Sequence, residues 1–516
     1  MPLPDSTPVI LGAGQVTERI AAPDYQARSP HELAADAVAI ALADAGGADT
    51  LSDAVDAIAF VRTFADSVPE SLKSLFAPFG DSGNQPRSVA QRVGCDPEHA
   101  ILSKACGDEP QRLVAECCQR VAAGELRAAV ICGAEAIASL RALQGGEGPA
   151  PDWSEDPEGS LEDRGQGIEL LFDGELARHG AMAPVDIYPL FENARRARTG
   201  AERDDYRAAI GQLFERFAKV AAQNPLSMSQ KAMSAADIAT ESERNRLIAE
   251  PYLKAMVARD WVNQGAAVIV TSLGMARSLG LESRAVYLHG HAHAVELPTL
   301  QRPDLDRSPA MTWAYQQALA AANTDAASIS AFDLYSCFPI AVFAALEALG
   351  ISPEDPRALT LTGGLPFFGG PGNNYSLHAI AEAVDRCRTD PKRTVLVGAN
   401  GGYLSKHAVG IYSATPSAPG FAAERPHAEA EEGGVTTAHL ASGDATIETY
   451  TIKPGKSGIA QVIAVGRLNS SGERFVANVR PEDSTTLQTM LDRDPLGLPV
   501  EAQATEERNW IKSKTG

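Results

Sequence analysis

Two cysteines stand where a strand pattern breaks off and a helix pattern begins, a position from which a side chain can act on a ligand. Cys106 follows Ser103-Lys104-Ala105 and precedes Gly107-Asp108-Glu109-Pro110. A thiol there feels the positive end of the helix, which favours the nucleophilic thiolate. Asp108 and Glu109 push the other way, since like charges disfavour a second anion. Cys337 lies in Asp333-Leu334-Tyr335-Ser336-Cys337-Phe338-Pro339, so Tyr335 and Cys337 give one turn two proton donors. A packed aromatic turn fits the same residues.

The densest glycine cluster is Gly363-Gly364-Leu365-Pro366-Phe367-Phe368-Gly369-Gly370-Pro371-Gly372-Asn373-Asn374. Backbone amides there, backed by a helix starting near Ser376, can build an oxyanion hole. Gly369, Gly370, Asn373 and Asn374 are its candidate binding positions. The loop lacks the Lys-Ser/Thr ending of a P-loop, which argues against nucleotide phosphate transfer. Asn400 and Gly401 close the next strand and join the binding set. His407, just beyond, is a candidate general acid/base or a hydrogen-bonded core histidine. His289, His291 and His293 share one strand face. No carboxylate stands beside them and no HExxH occurs, so no metal is expected.

The other cysteines read as structure. Cys117, Cys118 and Cys132 sit in apolar patterns as small buried groups, and Cys95 and Cys387 have no evident partner. Seven cysteines without CxxC spacing suit a reducing compartment. The opening Met1-Pro2-Leu3-Pro4-Asp5 has no basic and apolar leader, and no apolar run approaches the ~20 residues of a membrane span. A cytoplasmic protein is expected. Its 45 Lys and Arg against 66 Asp and Glu leave −21, which excludes the basic footprint of a nucleic-acid binder. Ten acids against Arg164 alone put −9 of that between Glu147 and Glu175.

A repeated scaffold must position these residues. Arg28-Ser29-Pro30 opens a helix with a Ser29/Glu32 capping box, Leu33, Ala37 and Ile40 on one face, and Gly46 at its end. A strand follows at 55–60. Arg307-Ser308-Pro309 opens a second such helix, leading to a strand at 329–332. Further on, Ala129–Ala134 and Thr394–Ala399 are matching strands, each preceded by a turn and a helix. Two units recurring in one order imply a duplication, with mixed sheets between helices. The organisation read from this is a half at 1–140, an inserted domain at 141–260, a half at 261–415 and a small antiparallel β-barrel at 421–516. Gly145–Gly167 is expected as loop, Tyr206–Val220 as helix, and Arg195, Arg196 and Arg198 form a basic cluster.

Duplicated halves, an inserted domain, a cysteine after the third strand and glycine loops in the second half resemble the thiolase superfamily over residues 5–415. Asn263-Gln264-Gly265-Ala266-Ala267 is similar to the Asp-Gly-Ala-Ala strand taken to open the second half. Asn400-Gly401-Gly402-Tyr403-Leu404-Ser405-Lys406-His407-Ala408 and the strands near 447–478 resemble thiolase-like proteins of type 1, which carry an extra C-terminal β-domain. The resemblance implies a thiolase fold of duplicated βαβαβαββ halves layered α-β-α-β-α, with a coenzyme A thioester as substrate and no resident cofactor. It puts Cys106 at the acyl-accepting position and Cys337 at the acid/base. Tyr335 takes the histidine place of His-Asp-Cys-Phe, and Gly370 takes that of the activating histidine in Gly-His-Pro. Acyl transfer through Cys106 is the first reading it implies. A thiolase-like aldolase using Tyr335, or a non-catalytic acyl-CoA-binding scaffold, stands beside it. A dimer is the family habit, a monomer follows if the acidic insertion covers that interface, and the barrel offers a surface for a protein partner.

Overall fold

The computed structural model describes residues 3–68, 70–144, 146, 150–167, 173–417, 421, 434–455 and 458–514. Strand β1 (Pro8–Thr17) leads into helix α1 (Pro30–Ala45). Ser29 caps α1 through the Glu32 amide, the Glu32 carboxylate takes the Ser29 amide, and Gly46 ends the helix. Leu33 and Ala37 are buried as expected, but Ile40 is 44% exposed, and Val38, Ala41 and Leu42 complete the apolar face. The first half continues through β2 (Val55–Phe60), α2 (Gln85–Val93), β3 (His99–Leu102), α3 (Glu109–Ala122) and β4 (Ala128–Ala136). The insertion follows, with β5 (Glu162–Asp163), α4 (Pro184–Thr199) and α5 (Arg203–Gln223).

Strand β6 (Asn263–Ser272) corrects the division made from sequence. It lies antiparallel between β1 and β4, with Ala267 opposite both Gly14 and Cys132. The sheet order is β1-β6-β4-β2-β3-β5. The strand expected to open the second half therefore completes the first, and the insertion interrupts the first half instead of separating the two. The short β5 runs parallel to β3, Ile101 facing Glu162 and Leu102 facing Asp163, and covers that half of its outer edge.

The second half repeats the plan with β7 (Tyr287–Val295), α6 (Pro309–Ala321), β8 (Ala331–Asp333), α7 (Pro339–Leu349), α8 (Tyr375–Thr389), β9 (Thr394–Gly401) and β10 (Lys406–Ser413). Ser308 caps α6 as Ser29 caps α1. The order is β8-β9-β10-β7, and residues 358–359 bond to Phe332 and Leu334 beside the β8 edge. One core lies between α1 and the first sheet, with Leu33, Val38 and Ile269. A second, with Val114, Val130's neighbours Ala129 and Ile131, Ile380 and Val397, holds α3 and α8 between the sheets. The third joins α6, α7 and the insertion to the far side of the second sheet. This is the α-β-α-β-α layering of the thiolase fold. Cys117, Cys118 and Cys132 are ordinary members of these cores, and all seven cysteines are buried and unbridged.

Strands β11 (Gly443–Gly455), β12 (Gly458–Leu468), β13 (Arg474–Val479), β14 (Pro499–Ala504) and β15 (Asn509–Ser513) close a barrel in the order β11-β12-β13-β15-β14. One pair, β13 with β15, is parallel, so the barrel is not wholly antiparallel. Its expected start at 421 falls beside residues outside the described set. The barrel is fixed to the insertion. Arg196, fully buried on α4, makes a two-pronged bond to Asp494, and Asn193 Nδ2 donates to the Tyr450 carbonyl at 2.9 Å. The basic cluster is thus spent on structure, with Arg195 and Arg198 paired to Glu347.

Glu135, near the end of β4, is buried, and its carboxylate accepts the Phe64 amide at 2.6 Å. Burial, and then the charges of Asp81 and Asp260, raise its pKa to about 8. Above the unfolded value the folded state holds the extra proton, so stability falls as pH rises toward and through 8. Melting temperature is expected to drop between pH 6 and 9, and Glu135→Gln, which cannot ionise, should flatten that slope in a pH series of thermal melts.

Candidate active site

The two central-layer helices begin at the same place. Cys106-Gly107-Asp108 leads into α3, and Gly369–Asn374 leads into α8, whose Ser376 hydroxyl donates to the Gly107 carbonyl at 2.8 Å. The end of β9 presses into the first of these turns. A Cβ on Gly401 would lie 2.1 Å from the Cys106 Sγ and 2.6 Å from the Asp108 Oδ1. A Cβ on Gly107 would lie 2.5 Å from both the Tyr335 hydroxyl and the Asn400 carbonyl. Only glycine permits this approach. It brings Cys106, Asp108, Tyr335, Asn400 and Gly401 around one point.

Cys337 belongs to the same cluster. Asn400 Nδ2 donates to its Sγ at 3.6 Å and to the Tyr188 hydroxyl at 2.9 Å. Tyr188 comes from α4, so the insertion reaches into the centre of the site. Its hydroxyl also receives the Leu404 amide at 3.2 Å and donates to the Gly402 carbonyl at 3.1 Å. The ring stacks on Phe338 at 4.2 Å, and Ala258 donates its amide to the Cys337 carbonyl at 2.9 Å.

The two thiols and the phenol here are held toward their neutral forms. Burial, then the charge of Asp108, lifts the Cys106 thiol well above its ordinary range, and Lys406 offsets this only in part. Burial, then the neighbouring Cys337, Cys106 and Asp108, raises the Tyr335 phenol far above 10. Burial pushes Cys337 up to about 12, against the hydrogen bonds of Tyr188 and Asn400. Burial and then Asp108 raise Glu109 to about 7. The Asp108 Oδ1 and Asn400 Oδ1 are buried and have no hydrogen-bond partner. Such atoms are costly unless a ligand satisfies them.

His407 does not join the cluster. Neighbouring residues on a strand face opposite sides, and Lys406, whose ammonium bonds the Gly167 carbonyl at 2.8 Å, faces Cys106. His407 turns the other way, 3.1 Å from the Ser308 hydroxyl that caps α6. Burial, then Arg302, lowers it to about 3. That alternation was readable once Lys406 and His407 were placed on one strand.

The glycine loop is also committed elsewhere. Gly370 donates its amide to the Arg259 carbonyl at 2.8 Å, Gly372 to Gly370, and Asn374 to Pro371. Gly369 lies against Gln264. Asn373 and Asn374 donate to the carbonyls of Arg62 and Gly133 at 2.8 and 2.6 Å. The two asparagine side chains tie this loop to the first half, and the amides of Gly370, Gly372 and Asn374 are already bonded, so the expected oxyanion cradle cannot draw on them. Asp108, Tyr188, Lys406 and Ser376 were missed as site residues. In the sequence Asp108 stands out only as a charge opposing Cys106, and nothing local ties Tyr188 to Asn400, more than 200 positions away. Among the described residues no group of three His, Cys, Asp or Glu side chains converges on a metal position. His289 bonds the Thr415 carbonyl and His291 stacks on Phe421.

Known proteins agree with this architecture. Residues 428–507 match the domain described as the thiolase-like protein type 1 additional C-terminal domain. No curated protein matches the chain. Among solved structures, a monomeric SCP2-thiolase-like protein type 1 from Mycobacterium smegmatis is 38% identical over 99% of this chain and 100% of its own, with a TM-score of 0.81. An Ltp2-ChsH2(DUF35) aldolase is 21% identical over 79% of this chain and 98% of its own, at 0.58. The acetyl-CoA acetyltransferase of Syntrophomonas wolfei is 14% identical over 79% and 99%, at 0.53. These last two share the fold. At 38% identity over its full length, the chain belongs to the family of SCP2-thiolase-like proteins of type 1.

Proposed function

We propose that this protein binds a coenzyme A thioester at the Cys106–Tyr335–Cys337 cluster and breaks or forms a carbon–carbon bond in it by aldol chemistry, without an acyl-cysteine. The carrying observation is the burial of Cys106 against Asp108, which disfavours a thiolate, with His407 facing away. Acyl transfer needs a thiolate, and the negative charge of Asp108 beside the buried Cys106 opposes a second anion there. Retro-aldol cleavage needs a base for the hydroxyl of a 3-hydroxyacyl thioester and an acid for the carbon left behind. Asp108, with its unpartnered oxygen, takes the hydroxyl proton. The bond between the second and third acyl carbons breaks, releasing an aldehyde or ketone. Tyr335 protonates the enolate carbon, and Asp108 returns its proton to the phenolate. Tyr188 and Asn400 position Cys337 beside this path.

A second reading keeps thiolase-type acyl transfer. It is favoured by the start of α3 and the Lys406 ammonium, both of which draw Cys106 toward the thiolate. Intact-mass measurement after incubation with acyl-CoA of several chain lengths separates the two. The aldol reading expects no acyl adduct, and an adduct at Cys106 in folded protein would refute it.

For cleavage of 3-hydroxyacyl-CoA, Tyr335→Phe is expected to lower kcat by about 10²–10⁴-fold. Cys106→Ala should leave most of the activity, and Asp108→Asn should behave like Tyr335→Phe. Because β5 pairs with Ile101 and Leu102, it occupies half of the β3 edge that a partner strand would need. The protein is accordingly expected to sediment as a monomer of 54.3 kDa, as its Mycobacterium relative is described, and a stable dimer through β3 would contradict this.

A further inference from the structure

A separate cavity of about 310 Å³ opens at the ends of β2 and β4, outside the cluster around Cys106. Ligand crevices form at such carboxyl ends of parallel strands, and this volume lies within the range of small-molecule pockets. Its wall is apolar, made by Phe64, Leu75, Phe76, Ile137, Leu140 and Trp153. The apolar character continues onto the rim. Phe64 is 46% exposed, Leu75 64%, and Leu72, one turn before Leu75, 45%. Trp261, 52% exposed, follows the lining Asp260 and lies under the Arg141 guanidinium, which pairs with Asp260 at 2.5 Å. Large apolar side chains left in water around a concave apolar pocket mark a binding site.

Three carboxyl groups, Glu135, Asp81 and Asp260, stand in the lining, and Asp260 is the one paired with Arg141. Burial, then other influences, lifts Asp81 to about 6 and Glu135 to about 8. A protonated carboxyl in an apolar pocket is a hydrogen-bond donor, the role that a buried neutral carboxylic acid plays toward a ketone oxygen. An anionic ligand would be repelled by the half-exposed Asp260 at the rim, whereas an uncharged one would not.

We propose that this cavity binds an uncharged apolar molecule carrying a carbonyl oxygen, a ketone or aldehyde, with Glu135 donating to that oxygen. None of its lining residues belongs to the Cys106 cluster, so the site stands or falls independently of the aldol reading.

The test uses the full chain and Prodan, an uncharged naphthalene ketone whose emission moves to the blue on leaving water. Saturable binding is expected, displaced by camphor and not by decanoate. Ala77→Trp, which fills the cavity from its half-buried edge, should abolish it, and Leu75→Asp at the rim should weaken it. Glu135→Leu should weaken binding roughly threefold to tenfold, the effect of one lost hydrogen bond, while Glu135→Gln retains a donor and stays closer to the parent. Absence of saturable binding would overturn the proposal, as would binding that survives both Ala77→Trp and Leu75→Asp. Sedimentation showing a dimer that Leu75→Asp dissolves would overturn it too, by assigning the apolar rim to a second copy of this chain.

Discussion

The candidate site depends on two backbones that touch. Gly107 and Gly401 belong to different halves of the chain, and neither has space for a single extra carbon. That contact draws the turn before α3 onto the end of β9 and so sets Cys106, Asp108, Tyr335 and Asn400 in one place. The packing of α3 and α8 between the sheets holds the contact closed, because both helices are buried on the faces that carry Val114, Cys117, Ile380 and Val384. A side chain at either glycine would have to separate two packed layers, and close-packed interiors resist such displacement.

The same closeness explains the chemistry of the cluster. Exclusion of water makes ions expensive, so Cys106, Tyr335 and Cys337 keep their protons. In a thiolase-type site an adjacent histidine would offset that cost by taking the thiol proton. Here Gly370 holds that place in the sequence, and its amide is spent on the Arg259 carbonyl. Asp108 repels a second anion beside Cys106, and the three neutral donors with its unpartnered carboxylate oxygen fit the proton transfers of the aldol reading proposed above.

Much of the scaffold was legible in the sequence because it is written locally. The Ser29/Glu32 box, the Pro30 start and the repeat at Ser308-Pro309 fix helix positions through bonds a few residues long. The strands after them follow from short apolar runs. What was misread is long-range. Strand 263–272 has a buried pattern that suits either sheet, and only its pairing with β1 and β4 assigns it to the first half. The glycine loop looked like an anion cradle because sequence shows that amides are available, not what they bond. Tyr188 lies in an insertion whose local pattern is simply helical, and its meeting with Asn400 is a matter of tertiary packing.

The insertion and the barrel then form a single support for that tyrosine. Helix α4 carries Tyr188 on one side and Asn193 and Arg196 on another, and the latter two bind the barrel through Tyr450 and Asp494. Arg196 is fully buried, so its charge is tolerable only while Asp494 and its other acceptors stay in place. The barrel therefore fixes the rotation of α4, and through it the hydroxyl that holds Asn400 against Cys337. A C-terminal domain without a residue in the cluster still sets its geometry, because the helix between them is anchored at both faces.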